Sequence, residues 1–190
     1  LGKAVCVSEL IANKVFSLGI DPNPRVIPYG VSMPTETAVW GARFRVVYSG
    51  RLVERQKRIG LVVQALIQAC QADSNVIATI LGDGPEKKKC EAAVVMAGLK
   101  DRITFTGRVA PEQVRKELLD SQAILLMSDF EGLPVALLEA MSAGVVPVVR
   151  SIDSGIPELV KREVTGLLVD DSPTTAANSL LRLADDRSLW

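Results

Sequence analysis

The fold of this chain is decided by the stretch Ser128-Asp-Phe-Glu-Gly-Leu-Pro-Val-Ala-Leu-Leu-Glu-Ala-Met-Ser-Ala-Gly144. The apolar run 123–127 just before it predicts a strand buried on both faces of a parallel sheet. Pro134 suits the first position of a helix, where its missing N–H is not needed, and Gly144 suits the end of that helix. The stretch therefore predicts a strand that turns sharply into a helix.

This corner has the features of an anion-binding site flanked by two acids. The unpaired N–H groups around Leu133 and residues 135–136 would lie at the positive end of the helix dipole, and Gly132 would let a ligand approach the backbone. Glu131 and Glu139 on one helix would be about 12 Å apart, farther than the roughly 5–9.5 Å between glycosidase carboxylates. We therefore expect the two acids to accept hydrogen bonds from neutral hydroxyls.

Composition narrows the possible functions. The chain has 190 residues, 48% of them hydrophobic, which is enough for one sizeable core, and its net charge of zero favours neither nucleic acid nor an anionic membrane as partner. There is no histidine, so a Ser-His-Asp or Cys-His mechanism within this chain is excluded. We expect the cysteines, Cys6, Cys70 and Cys90, to be reduced thiols in a cytoplasmic protein.

Apolar runs alternate with amphipathic segments from Arg43 onward, which predicts an α/β fold with a single doubly wound Rossmann-like parallel sheet. We expect this domain to span 42–190, preceded at 1–41 by a connecting segment of strand, helix and linker. Ser8 is the expected N-cap of the helix in that segment. The predicted strands of the domain are 45–49, 76–81, 103–106, 123–127, 145–149 and 167–169; the predicted helices are 59–71, 86–97, 111–119, 134–143, 156–161 and 173–185; and 50–57 is predicted to be a loop.

Ligands of such sheets bind at the carboxyl ends of the strands, where several charged residues are expected to meet. Arg51 and Lys57 lie at the two ends of the loop after the first strand of the domain. The planar guanidinium of the one and the compact ammonium of the other are both suited to binding a diphosphate. The alternative is that both are solvated surface charges. Asp83 and Arg108 also follow strands, although the glycines around Asp83 favour a purely structural turn there.

Motifs for other ligands are absent from the sequence. There is no Walker phosphate loop and no Gly-x-Gly-x-x-Gly after the first strand of the domain, so the usual signatures of nucleotide triphosphate hydrolysis and nicotinamide binding are missing. An Asp-x-Asp metal pair is also absent before the diphosphate loop. We accordingly expect no metal site and no cofactor.

A set of motifs in fixed order resembles a known family, the retaining glycosyltransferases of the two-Rossmann-domain (GT-B) architecture, group 1, also called glycosyltransferase family 4. The resemblance implies that the chain is the C-terminal, donor-binding half of that fold. One departure is 150–153, where the family usually has small polar residues. The matching motifs are Gly50-Arg51…Lys57, Leu81-Gly-Asp-Gly-Pro85, Phe105-Thr-Gly107, Glu131-Gly-Leu-Pro134…Glu139-Ala140, Ala143-Gly-Val-Val-Pro-Val-Val149, Gly155-Ile-Pro-Glu158 and Thr165-Gly-Leu-Leu168.

For the diphosphate of a nucleotide-sugar donor, the resemblance implies a site built from the loop after the first strand of the domain. Gly50 belongs to that loop, and Arg51 and Lys57 would hold the diphosphate. The N–H groups of Gly132 and Leu133 would face the sugar and the phosphate. Extra negative charge on the departing diphosphate would then be stabilised without a metal.

For the rest of the donor, the resemblance implies separate contacts. Glu131 would contact hydroxyls of the transferred sugar, which makes it, with Arg51 and Lys57, a candidate catalytic residue. Glu139 would accept hydrogen bonds from the ribose, and the loop at Arg108-Val109 would lie against the nucleobase. These residues do not distinguish a donor linked to UDP from one linked to GDP or ADP.

The resemblance also implies a second domain, on the N-terminal side of this chain in the same protein, that supplies the acceptor site. On this expectation the chain alone binds a donor without turning it over, and any peripheral membrane contact is made by the other domain. Three alternatives remain at the level of sequence: a non-catalytic sugar-nucleotide-binding module, a receiver-like interaction domain and a nucleotide-sugar epimerase half-domain.

Overall fold

From Phe44 to Asp185, each strand is followed by at least one helix. The computed structural model describes residues 3–189, so Leu1, Gly2 and Trp190, at the outer ends of the predicted segments, lie outside the described residues. The strands are β1 (Val5–Cys6), β2 (Arg25–Val26), β3 (Phe44–Ser49), β4 (Val76–Leu81), β5 (Ile103–Gly107), β6 (Ala123–Leu126), β7 (Val146–Arg150) and β8 (Leu167–Val169). The helices are α1 (Glu9–Ser17), α2 (Glu54–Lys57), α3 (Ile59–Ala72), α4 (Lys87–Met96), α5 (Pro111–Leu119), α6 (Val135–Ser142), α7 (Ile156–Leu159) and α8 (Pro173–Asp185), followed by a 3₁₀ turn at Arg187–Leu189.

Six of these strands form one parallel sheet in the order β5-β4-β3-β6-β7-β8. Its central strands are apolar on both faces because helices cover both: α3 packs against α4 and α8, and α5 packs against α6. Val46, Val47 and Leu125 are fully buried between these layers. The predicted doubly wound Rossmann-like fold is confirmed.

The strand order reverses at the centre of the sheet. From β3 the chain proceeds outward through β4 to β5, and it then returns to the other side of β3 for β6, β7 and β8. The connections after β3 and β6 therefore diverge, which leaves a crevice between them at the carboxyl ends of the strands. The segments 50–57 and 127–134, which carry most of the predicted site residues, flank this switch point.

Two local predictions were wrong. The segment 50–57 is not wholly a loop, because Glu54–Lys57 forms the short helix α2, which ends at Arg58 in the left-handed conformation with φ of 48°. A single helical turn is too short to show periodicity in a sequence. Pro134 is the extended N-cap of α6 and not its first helical residue. The other predicted bounds agree with the structure to within one or two residues.

Gly82 and Gly84 bring the loop after β4 into direct contact with the backbone after β3. A Cβ at Gly82 would lie 1.9 Å from the carbonyl oxygen of Gly50, and one at Gly84 would lie 2.3 Å from that of Leu52. Hydrogen bonds hold the two loops at this distance, including one from the Leu52 N–H to the Asp83 carbonyl of 2.9 Å. The sequence prediction that this turn needs its glycines for structural reasons agrees with these contacts.

The first part of the connecting segment is bound to α7, the short helix that follows β7. Strands β1 and β2 pair in parallel, and the Ser8 side chain caps α1, as predicted, by accepting from the Ile11 N–H at 3.3 Å. The Glu158 carboxylate accepts from two further N–H groups of the first turn of α1, at 3.1 and 3.3 Å. Within residues 3–189, no helix is both long enough and apolar enough to cross a membrane.

The close contact at Gly82 leads to a prediction on stability. Gly82→Ala should lower the free energy of unfolding by about 2–4 kcal/mol, because the new methyl group would overlap the Gly50 carbonyl and Gly82 has φ of 134°. Gly30→Ala is the matched control, since a Cβ at Gly30 has nothing within 4 Å. Urea denaturation of both variants would measure the difference, and equal stabilities would contradict the prediction.

Candidate functional site

Three adjoining cavities open along the carboxyl end of the sheet. The central cavity, about 450 Å³, lies between the loops after β3 and β6. The side cavity, about 520 Å³, shares Ser49–Arg51 with it and extends toward the end of β5. The helix cavity, about 350 Å³, shares Val135 with the central cavity and runs along α6. Val114 lines both the side and the helix cavity, so each cavity shares at least one lining residue with each of the other two.

The central cavity contains a nearly buried ion pair. The Lys57 ammonium lies 2.5 Å from Oε1 of Glu131, and the two side chains are only 15% and 7% exposed. The pair joins α2, which follows β3, to the loop that follows β6. An ammonium has three N–H donors, so Lys57 keeps donors for a ligand while it holds Glu131.

Arg51 lines both the central and the side cavity, and its guanidinium is held from within the chain. Its Nη2 donates to Oε1 of Gln56 at 2.9 Å. The hydroxyl of the buried Tyr48 donates to the Arg51 carbonyl at 2.9 Å and so fixes the backbone from which Arg51 projects. Burial raises the pKa of Tyr48 above its usual range, which keeps this hydroxyl protonated as a donor.

Residues missed by the sequence analysis fix the loop after β6. The Asp129 N–H donates to the Gln56 carbonyl at 2.9 Å. Oδ1 of Asp129 accepts from Arg58 at 2.7 Å and also from Arg150. Arg150 stands where the sequence departs from the pattern of the resembling family, and that departure was the one available signal. The pairing itself becomes visible only once β3, β6 and β7 are known to be neighbours.

The N-terminus of α6 opens onto the central cavity. Val135 and Ala136 line it, and the first intrahelical bond of α6 is donated by the Leu137 N–H to the Pro134 carbonyl at 3.0 Å. The first-turn N–H groups before Leu137 are therefore those at the positive end of the helix dipole. Gly132 serves packing as well, since a Cβ there would lie 3.1 Å from Cγ2 of Val7.

Glu139 lies in the helix cavity, apart from Glu131. It is half-buried, and residues 30–32 and Pro34 of the connecting segment line the same cavity, as does Arg115. Burial raises the pKa of the Glu139 carboxyl above its ordinary value of 4.5. The two acids therefore line different cavities, which agrees with the prediction that they do not form a hydrolytic pair.

The side cavity holds the end of β5. Arg108 and Val109 line it, together with Gly82 and Asp83 from the loop after β4. The Asp83 carboxylate accepts from the Gly84 N–H at 2.8 Å, which makes Asp83 part of the turn itself. Leu81, Val109 and Val114 give the cavity apolar lining residues, and Arg51 lines both this cavity and the central one.

The structure distributes the sequence-predicted residues over these cavities as follows. Gly50, Arg51, Lys57, Glu131, Gly132 and Leu133 line the central cavity; Gly50, Arg51, Arg108 and Val109 line the side cavity; and Glu139 lines the helix cavity. The roles assigned to them remain predictions. Within 3–189, the cysteines and carboxylates form no group of three placed to hold a metal ion.

The sequence pattern of the family described as "Glycosyl transferases group 1" matches residues 43–186. Because the match covers most of the chain, the chain belongs to the group 1 glycosyl transferases. The sheet domain described above accounts for nearly the whole of the matched region.

Curated relatives with transferase names share much of this sequence. The chain is 34% identical over 185 residues to the putative colanic acid biosynthesis glycosyltransferase WcaL of Salmonella typhimurium, covering 90% of this chain and 44% of that protein. It is 32% identical over 165 residues to the lipopolysaccharide 1,6-galactosyltransferase of Escherichia coli, covering 85% and 43%. The chain thus spans less than half the length of these relatives.

Solved structures show the same fold. A crystal structure of a mutant of S. aureus TarM, in complex with Fondaparinux, alpha-GlcNAc-glycerol and UDP, superposes with a TM-score of 0.90 at 20% identity, covering 98% of this chain and 38% of that one. The apo form of the lipopolysaccharide outer core galactosyltransferase WaaB gives a TM-score of 0.79 at 27% identity, covering 96% and 53%. The GT-B fold expected from the resemblance is confirmed for this half.

The Lys57–Glu131 pair leads to a prediction on stability. Lys57→Met should lower the free energy of unfolding by about 3 kcal/mol, because it leaves the Glu131 carboxylate buried without a cation. The double variant Lys57→Met/Glu131→Leu should recover much of that loss. Urea denaturation measures both.

The control for this prediction is an ion pair on the surface. Arg182→Met removes the partner of Glu163, with both side chains about half exposed, and should change the unfolding free energy little. A double variant at 57 and 131 that is less stable than either single variant would contradict the assignment of a buried pair.

Glu139 leads to a prediction on pH dependence. Its carboxyl has a higher pKa in the folded chain than in the unfolded chain, so its contribution to stability is full below about pH 4.5 and is lost as the pH rises through the folded-state pKa. Glu139→Gln should therefore be more stable than the parent chain at pH 7, and the difference should vanish near pH 4. Thermal unfolding at both pH values would test this, and a gain that grows toward acid pH would contradict it.

Proposed function

We propose that this chain is the donor-binding domain of a glycosyltransferase that moves a sugar from a nucleotide-diphosphate sugar to an acceptor. One observation carries the proposal: two cations and a helix N-terminus lie around a single cavity at the switch point of the sheet. A ligand with a compact, multiply charged anion in its middle fits such a cavity best. A diphosphate flanked by neutral hydroxyl-bearing groups is a ligand of this kind.

In this proposal the diphosphate lies in the central cavity. Arg51 binds it through the planar set of N–H donors of its guanidinium. Lys57 binds it through the ammonium N–H groups that do not donate to Glu131. Breaking the bond between sugar and phosphate leaves additional negative charge on the diphosphate. Arg51, Lys57 and the first turn of α6 are positioned before the reaction to stabilise this charge, which lowers the barrier.

The two ends of the donor then extend away from the diphosphate, the sugar within the central cavity and the nucleoside into the side and helix cavities. Glu131 would accept from hydroxyls of the transferred sugar, close to Gly132 and Leu133. The ribose would reach Glu139, and the nucleobase would lie against Arg108 and Val109. Val114, which lines both of these cavities, joins the two parts of the nucleoside site.

The ligands bound in solved structures of proteins with a similar fold support this assignment. UDP accompanies TarM in its crystal structure, and UDP with glucose accompanies Anabaena Alr3699/HepE in another, which superposes on this chain with a TM-score of 0.82 at 20% identity. Both proteins are longer than this chain, which covers 38% and 54% of them. We propose that a second, N-terminal domain completes the acceptor site here too.

We further propose that the reaction retains the configuration of the sugar and that it uses neither a metal ion nor an added cofactor. The cations of the central cavity take the part that a metal would otherwise play in neutralising the leaving group. We place the protein in the cytoplasm, because Cys6, Cys70 and Cys90 are all free and buried, as is typical of proteins in a reducing compartment.

Binding of nucleoside diphosphates tests the proposal. Titration calorimetry with UDP, GDP and ADP should find one that binds, and Arg51→Ala should weaken that binding about tenfold or more, the loss expected for one charge-assisted contact. EDTA should leave the affinity unchanged.

Arg55→Ala is the matched control, because Arg55 is exposed on α2 and its replacement removes the same charge from the same segment. It should alter the affinity by less than about twofold, because Arg55 lines none of the three cavities, whereas Arg51 lines two of them. Equal effects of the two variants would contradict the placement of the diphosphate beside Arg51.

A further inference from the structure

Helix α2 contacts the loop after β6 through three consecutive residues. The Gln56 carbonyl accepts from the Asp129 N–H at 2.9 Å, Lys57 pairs with Glu131 at 2.5 Å, and Arg58 donates to Asp129 at 2.7 Å. Lys57 belongs to the proposed diphosphate site, whereas Arg58 does not line the central cavity. Gln56 is the member of the three whose side chain both lines the central cavity and carries no charge.

Both ends of the Gln56 side-chain amide are engaged. Its oxygen accepts from Nη2 of Arg51 at 2.9 Å, and its nitrogen donates to the Phe130 carbonyl at 3.4 Å. The amide thus links the guanidinium on the loop after β3 to the backbone of the loop after β6. A carboxylate at this position could accept from Arg51 but could not donate to Phe130.

The hydrogen bond from Gln56 matters for Arg51 because Arg51 is exposed to solvent, where its side chain is free to move. A free arginine side chain samples many rotamers, and binding an anion then requires that freedom to be lost. Gln56 accepts from one edge of the guanidinium and leaves the remaining N–H donors to face the cavity. Because the glutamine is neutral, it orients Arg51 without cancelling its charge.

We propose that Gln56 is a positioning residue that orders Arg51 for the diphosphate before the donor arrives. The inference rests on the proposed function, since it assigns Gln56 a part in the same site. If this is so, replacing Gln56 lowers the affinity for a nucleoside diphosphate but not for the nucleoside alone, and the effect depends on the presence of Arg51.

A double-mutant cycle on the full chain tests this. Gln56→Ala should weaken binding of the preferred nucleoside diphosphate about three- to tenfold, the range expected when a flexible side chain must be ordered on binding. Binding of the matching nucleoside, which has no phosphate, should stay the same. In the Arg51→Ala background, Gln56→Ala should cause no further loss, because the two residues act as one unit.

Two further variants separate positioning from a general effect on folding. Gln56→Met keeps the length of the side chain and removes both hydrogen bonds, so it should reproduce the pattern of Gln56→Ala even if the alanine variant folds poorly. Gln64→Ala, the same substitution at an exposed position of α3, should leave binding unchanged.

The outcomes separate the two proposals. If UDP, GDP and ADP all fail to bind the parent chain, the proposed function fails and this inference fails with it. If one of them binds and Arg51→Ala weakens it, but Gln56→Met has no effect, the inference alone is overturned. Two other results also overturn the inference. One is a loss of diphosphate affinity on Gln56→Met that is equally large in the Arg51→Ala background. The other is an equal loss of affinity for the nucleoside.

Discussion

The ion pair between Lys57 and Glu131 holds together the two loops on which the site is built. These loops follow β3 and β6, neighbouring strands from which the chain runs in opposite directions across the sheet. The connections at such a switch point diverge by necessity, so something must join them if the crevice is to keep a fixed width. A nearly buried pair is well suited to this, because removing either partner leaves an uncompensated charge in a poorly solvated place.

The rest of the local structure follows from this constraint. Lys57 can reach Glu131 because α2 turns the chain back over the sheet, and the left-handed Arg58 lets α3 start immediately afterwards. On the other side of β3, Gly82 lets the neighbouring loop lie against the backbone of Gly50, the residue before Arg51. Both cations of the central cavity thus have partners within the chain, Gln56 for Arg51 and Glu131 for Lys57.

The sequence was sufficient to predict most of the helices and strands, although not α2, and many of the residues that line the cavities, but it did not show which of these residues pair with one another. The apolar run of β4 and the amphipathic pattern of α8 are local features of the sequence, and the bounds of both elements were predicted to the residue. Lys57 and Glu131 were each singled out, yet their pairing depends on β3 lying next to β6, and strand order is a tertiary property that no local pattern encodes. Gln56 went unnoticed for the same reason, since a neutral residue beside two cations has no signal of its own.

The central claim is that the diphosphate lies where the loops after β3 and β6 meet. A crystal structure of the chain with a bound nucleoside diphosphate tests it most directly. The account predicts phosphate oxygens within hydrogen-bonding distance of the Arg51 guanidinium and of N–H groups at the start of α6, with Lys57 still in contact with Glu131. A diphosphate bound away from the central cavity, with Arg51 and Lys57 free of it, would contradict the account.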